Sequence, residues 1–251
     1  MATRQRAEIE VDDEGDGDKP VASVQRALSL LDAFLQGPPT LSLAELAART
    51  GLYKSTIVRL LGTLEQQGYI VRTENGGFHI GAKPLRLAGM FQNAVQPEDV
   101  VLPVLRDLVE KTRESASYMI RQGEYRITLY RVDSPMTIRD HGSRGDMVRL
   151  GKGATSNVFE AFERNTPKFR EIRQRMVGTT TGSITPGMTG IAAPVFGPSK
   201  RLCVGVIVLT GPEHRFGTAV TKGLERQVRE AARTLTERLG GDVALFDDVR
   251  R

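Results

Sequence analysis

Residues 42–81 read SLAELAARTGLYKSTIVRLLGTLEQQGYIVRTENGGFHIG, and the punctuation of this stretch decides the fold. Ser42 with Glu45 three residues on is a capping box: the serine oxygen accepts from a first-turn amide while the carboxylate reaches back. The helix it opens is short, about residues 42–49, because Gly51 stops it. A third helix starts near Lys54-Ser55, and Ile57, Leu60, Leu61 and Leu64 recur at helical spacing as its buried face. The opposite face carries Ser55, Thr56, Arg59, Gly62, Thr63 and Gln66, and Gly68 ends it. Residues 69–72 then read as a strand, 74–77 as a tight turn and 78–80 as the returning strand.

Upstream, Val24, Ala27, Leu28, Leu31, Phe34 and Leu35 mark one face of an amphipathic helix that Gly37-Pro38-Pro39 terminates. Three helices followed by a glycine-rich hairpin form a winged helix-turn-helix. Such a fold needs short polar and cationic side chains at the start of its third helix, where it enters a major groove. Lys54, Ser55, Thr56 and Arg59 meet that need, with Thr63 on the same outward face. Arg72 on the wing, with Lys83 and Arg86 beyond it, suits phosphate or minor-groove contacts. Gly62 costs about 1 kcal/mol relative to Ala inside a helix. A close approach of its backbone to another backbone or to DNA would account for it. Charges alone are equally well read as a solvated helix face; the order of cap, glycine turn, helix and wing is what argues for DNA.

The chain has 251 residues, with 35 Lys+Arg against 30 Asp+Glu and a net charge of +5. The distribution says more than the sum. Residues 1–18 carry a net −5, residues 19–91 a net +4, and residues 92–251 a net +6. The Asp/Glu/Gly-rich start has little to bury and is expected to be disordered. The basic remainder favours an anionic partner. A single cysteine, Cys203, excludes an intramolecular disulfide and a Cys-rich zinc site; within the apolar run 202–208 it reads as a packed thiol. His79, His141 and His214 lie far apart, so no metal or other cofactor is expected. No apolar run reaches the ~18 residues a membrane helix needs. The start lacks the apolar segment of a secretory signal, so a cytoplasmic location is expected.

Residues 85–93 look helical, and the domain boundary is placed at 92–98. Helical patterns follow at 101–112, 155–164, 168–177 and 219–239, and strand patterns at 117–121, 125–132, 191–196 and 202–210. The expected class is α+β. Residues 1–20 form an acidic tail, 21–83 a DNA-binding winged helix-turn-helix and 84–98 a linker helix. Residues 99–241 form an effector-binding domain and 242–251 a tail. Residues 145–152 loosely match a phosphate-binding loop, but the glycine spacing is one residue too long, and Gly153 stands where a magnesium-binding Ser or Thr is needed. No HExxH, GxSxG or GxGxxG motif occurs, and no enzyme is expected. The rival readings are an enzyme on the C-terminal part and a winged-helix protein without a regulatory role.

Ser23-Val24-Gln25-Arg26-Ala27-Leu28, Leu43-Ala44-Glu45-Leu46-Ala47, Gly51-Leu52-Tyr53-Lys54-Ser55-Thr56, Arg59-Leu60-Leu61-Gly62-Thr63-Leu64, Gly68-Tyr69 and Ile80-Gly81 resemble the IclR family of bacterial transcriptional regulators. Further on, Gly142-Ser143-Arg144, Gly190-Ile191-Ala192-Ala193-Pro194 and Val208-Leu209-Thr210-Gly211-Pro212 resemble it too. The resemblance implies a C-terminal, GAF-like antiparallel sheet with flanking helices and a homodimer or homotetramer on double-stranded operator DNA. It also implies a small organic or aromatic acid as effector, and regulation, by repression, of a catabolic operon. Carried over by position, Leu150, Ala154, Thr155, Met188, Ile191 and Val208 become the effector-pocket candidates. Each is equally a core residue on its own evidence. Thr155, Ser183 and Thr185 can supply hydroxyls, and Arg149, Lys152 or helix amides near 153–155 can hold a carboxylate. The segment 149–157 departs from the family's usual pattern, which leaves the ligand open.

Overall fold

The computed structural model describes residues 20–35, 37–95, 98–163, 166–199 and 203–247. The acidic segment 1–19, Arg164, Lys200 and Leu202 lie outside the described residues. The chain divides into two compact units, residues 1–91 and 92–251.

In the first unit α1 (Ala22–Asp32), α2 (Leu43–Thr50) and α3 (Lys54–Gln66) precede a hairpin of β1 (Ile70–Arg72) and β2 (Phe78–Ile80). The capping box forms: the Glu45 amide donates to Ser42 Oγ at 3.2 Å, and the Ser42 amide donates to the Glu45 carboxylate at 2.7 Å. The Ser42 amide and hydroxyl, both donating to the Glu45 carboxylate, hold it below its ordinary pKa. Gly51 closes α2 in the left-handed region at φ 69°. Leu30, Leu41, Leu46, Ile57, Leu61, Leu64, Ile70 and Phe78 make the core. The hairpin closes against the end of α3 at Gly81, where a β-carbon would lie 2.4 Å from the Gly68 carbonyl oxygen.

Two details differ from the sequence expectation. Leu30 and Leu31 of α1, with Ala33 and Phe34 just beyond it, pack on the core, while Val24, Leu28 and Leu35 are exposed. Both sets have helical spacing, and the small core covers only one. Leu41 also pairs antiparallel with Phe78 through two backbone bonds of 2.8 and 2.9 Å, a one-residue third strand for the wing. Downstream lies α4 (Lys83–Val95).

The second unit is built on a six-stranded sheet. Its strands are β3 (Ser115–Gln122), β4 (Tyr125–Val132), β5 (Met147–Arg149), β6 (Gly178–Thr181), β7 (Met188–Phe196) and β8 (Cys203–Pro212). Their order is β5-β4-β3-β8-β7-β6, antiparallel throughout. Helices α5 (Glu98–Thr112) and α8 (Thr218–Arg238) cover one face, where Leu105, Tyr118, Ile191, Ile207, Val228 and Leu235 are buried together. On the other face α6 (Ala154–Glu163) packs Val158 and Phe159 against Ala192, Val206 and Val208. Alternation along β7 and β8 therefore sends neighbouring residues into different layers.

β5 and β6 were not foreseen; they are three and four residues long, too short to show a period. The helix expected at 168–177 is shorter, a 3-10 turn at Pro167–Phe169 followed by α7 (Arg170–Arg175), and Met176 ends it at φ 53°. The expected tail at 242–251 is ordered at its start. Val243–Phe246 forms a 3-10 turn whose Phe246 is buried edge-on to Phe196, with centroids 5.9 Å apart. Among the described residues no helix is long and apolar enough to cross a membrane.

Candidate functional sites

The first site is the outer face of α3. Burying Ile57, Leu61 and Leu64 turns Ser55, Arg59, Gly62 and Thr63 outward, all exposed, with Lys54 exposed at the helix start and Thr56 half-buried. Lys54 and Arg59 make no ion pair among the described residues. Arg72 is exposed on the wing, its guanidinium carbon 5.7 Å from the centre of the Phe78 ring. A β-carbon on Gly62 would meet nothing within 4 Å, so no backbone of this unit crowds it. The exposed Tyr53 and Val58 border the same surface. The arrangement is a convex cationic helix beside a hairpin, with unspent donors facing out.

The second site is a cavity of about 220 Å³ between the sheet and the first turn of α6. Four of the six expected pocket residues line it: Ala154, Thr155, Met188 and Val208. Ser183 and Thr185 line it as well. Ile191 does not. It alternates onto the opposite face of β7, into the layer beneath α5 and α8. Leu150 packs instead against the cluster under α6, held by a backbone bond to Glu124 of 2.8 Å.

The cations expected for a carboxylate are also displaced. Arg149 projects into solvent, 3.6 Å from Glu124, and Lys152 is not on the cavity wall. The Ala154 amide is already bonded to Thr180 Oγ1 at 3.0 Å. The cavity's cations are Arg126 and Arg131, both from β4. Arg131 is fully compensated. It donates to Asp133 at 2.8 Å, to the Asp140 carboxylate at 3.0 Å and to the Asp140 carbonyl at 2.8 Å. Thr210 donates to the same Asp140 carboxylate at 2.9 Å. Gly142 passes so close that a β-carbon would lie 2.9 Å from Arg131 Nη1. Arg144 stacks on the Tyr130 ring at 4.9 Å and pairs with Glu98 at 3.1 Å, which fixes the loop leading to β5.

Arg126 is only 6% exposed. Its contacts are long ones to neutral oxygens, 3.4 Å to the Lys152 carbonyl and 3.5 Å to Ser156 Oγ. Burial pushes its guanidinium pKa down, and the charge of Asp140 offsets part of that. Sequence reasoning missed it, yet a signal existed. In β4, Ile127 and Leu129 face the main core while Arg126 and Thr128 alternate onto the cavity wall. A strand that spends a buried position on arginine is advertising a site.

Residues 23–74 match the family model described as the IclR helix-turn-helix domain. Over nearly its whole length the chain is similar to the HTH-type transcriptional regulator KipR of Bacillus subtilis, 23% identical over 87% of this chain and 97% of that one. It is 34% identical to the transcriptional repressor IclR of Escherichia coli over 101 residues, 40% of this chain and 37% of that protein. In structure it resembles an IclR homologue from Microbacterium hydrocarbonoxydans solved with 4-hydroxybenzoate, at TM-score 0.69 and 16% identity, covering 87% of this chain and 99% of that one.

Proposed function

We propose that this chain, a transcriptional regulator of the IclR type, is a ligand-responsive, DNA-binding repressor of a catabolic operon. The observation that carries the DNA part is the outward face of α3, where Lys54 and Arg59 stand without ion pairs among the described residues, beside a wing bearing Arg72. Lys54, Ser55, Thr56, Arg59, Thr63 and Arg72 are the proposed DNA contacts. In a homodimer or homotetramer, two such helices would enter successive major grooves about one helical turn apart. A cytoplasmic location goes with that role.

The cavity of the second unit is the proposed effector site, with Ala154, Thr155, Met188 and Val208 as wall residues. Its size suits a small metabolite, and its apolar walls with a few converging polar groups suit an organic acid. The 4-hydroxybenzoate complex of the structural relative favours an acid of that kind. An effector can shift operator affinity only by its differential affinity for two arrangements of the protein.

The deciding experiment is a mobility shift on the DNA flanking the protein's own gene, with and without candidate acids. A specific shift released by one acid is expected. Thr155→Leu, which fills the cavity, should abolish the release and spare the shift. Absence of any specific shift at low salt, with and without acids, would overturn the DNA reading.

A further inference from the structure

Among the described residues of the second unit, the buried guanidinium and carboxylate groups are compensated with one exception. Arg215 donates to Glu114 through two bonds of 2.5 and 2.6 Å, Arg175 pairs with the buried Glu225, and Arg131 is held by Asp133 and Asp140. Arg126 has no carboxylate within ion-pairing distance among the described residues. The two carboxylates on the cavity wall are engaged elsewhere. Asp140 serves Arg131 and Thr210, and Asp146 accepts from the Ser143 amide at 2.6 Å. A buried charge without a counter-charge is costly. Such a group persists where a ligand completes it.

Resting on the effector reading above, we propose that Arg126 is the receptor for the acid group of the effector, and that the effector is a compact monoanion. The guanidinium offers parallel N–H donors that match a carboxylate in two-point contact. Thr128 and Thr155 line the cavity with it and can bond the same oxygens, while Met119, Met188 and Val208 hold the carbon skeleton. One uncompensated cation neutralises one acid group. A second would face Asp140 and Asp146. The contacts of Arg126 to the Lys152 carbonyl and to Ser156 reach the loop before α6 and its first turn, so the acid is bound where α6 begins.

Arg126→Met and Arg126→Lys test this in the full chain. Without ligand, Arg126→Met should melt at least as high as the wild type, because an uncompensated charge has been removed. A fall of several degrees would mark Arg126 as a structural residue and overturn the proposal. Calorimetric titration with 4-hydroxybenzoate, benzoate and lactate, beside neutral 4-hydroxybenzamide, gives the second readout. The wild type should prefer an acid to the amide. Arg126→Met should lose at least tenfold in acid affinity with the amide unchanged, and Arg126→Lys should recover part of the loss. Equal acid binding by wild type and Arg126→Met would overturn the role of Arg126 and leave the effector site standing. A wild type that binds none of the acids would overturn both.

Discussion

Lys54 and Arg59 in the first unit stand in solvent with no carboxylate partner among the described residues, whereas Arg131, Arg175 and Arg215 in the second unit are met by carboxylates. Arg215 lies against a Glu114 that is 4% exposed, and Arg131 is tied to Asp140 and Asp133. One protein thus uses the same side chain in two ways. In the second unit a cation is a fastener, and its worth lies in the partner it leaves exposed to error if removed. At Lys54 and Arg59 it is an unspent donor, and its worth appears only when an external anion arrives. Arg126 is instructive because it is buried like the fasteners and uncompensated like the DNA-facing cations.

The largest effect should come from breaking a fastener. Arg215→Ala strands the buried Glu114 carboxylate, which Gly211 also confines, since a β-carbon there would lie 2.3 Å from Glu114 Oε2. The cost should be about 3 kcal/mol, read as a lower urea midpoint for the second unit. If the midpoint does not move, the contrast between fastener and free cation fails.

Next comes Arg59→Ala. The side chain is exposed and makes no ion pair among the described residues, so folding should be unaffected. Specific operator affinity should fall by about 1–3 kcal/mol, relaxing discrimination at the base it reads. A variant that keeps its specific affinity would move base reading elsewhere on α3.

Gly62→Ala separates folding from binding. An exposed helical glycine with nothing within 4 Å of a would-be β-carbon should gain about 1 kcal/mol of stability on becoming alanine. If the helix backbone approaches DNA there, the same variant should bind operator more weakly. A stabilised variant with unchanged affinity would remove that explanation for the glycine.

How much of this was legible in the sequence depended on the range of the signal. The capping box, Gly51 and the buried stripe of α3 are local features, and they appear where residue spacing puts them. The face of α1 was misread because it carries two apolar stripes and only the tertiary core selects one. The sheet's central strands were visible as apolar runs, but β5 and β6 were too short to show alternation. At the cavity, Ala154, Thr155, Met188 and Val208 could be carried over by position, while Ile191 fell on the wrong side of β7 because position alone ignores the two-residue period. Arg149 and Lys152 are near the pocket loop in sequence but not on the cavity wall. Arg126 is nearer in space, reached from another strand; the alternation of β4 marks it as inward-facing, but its nearness to the pocket loop is set by pairing β4 with β5.

The smallest effect, and the subtlest test of the contrast, is Lys54→Ala. Lys54 opens α3 with its charge exposed and no ion pair among the described residues, at the end of the helix that would lie nearest the DNA backbone. If it touches only phosphate, its loss should weaken binding to operator and to random DNA alike. The slope of log affinity against log salt should fall by about one, because about one fewer counterion is released. Arg59 should behave differently, losing affinity mainly for the specific site. Measuring both variants on both DNAs across a salt series therefore divides the free cations of α3 into those that hold the helix down and those that read. If the two variants respond identically, the outward face is a uniform electrostatic patch, and sequence reading must come from Ser55, Thr56, Thr63 or the wing.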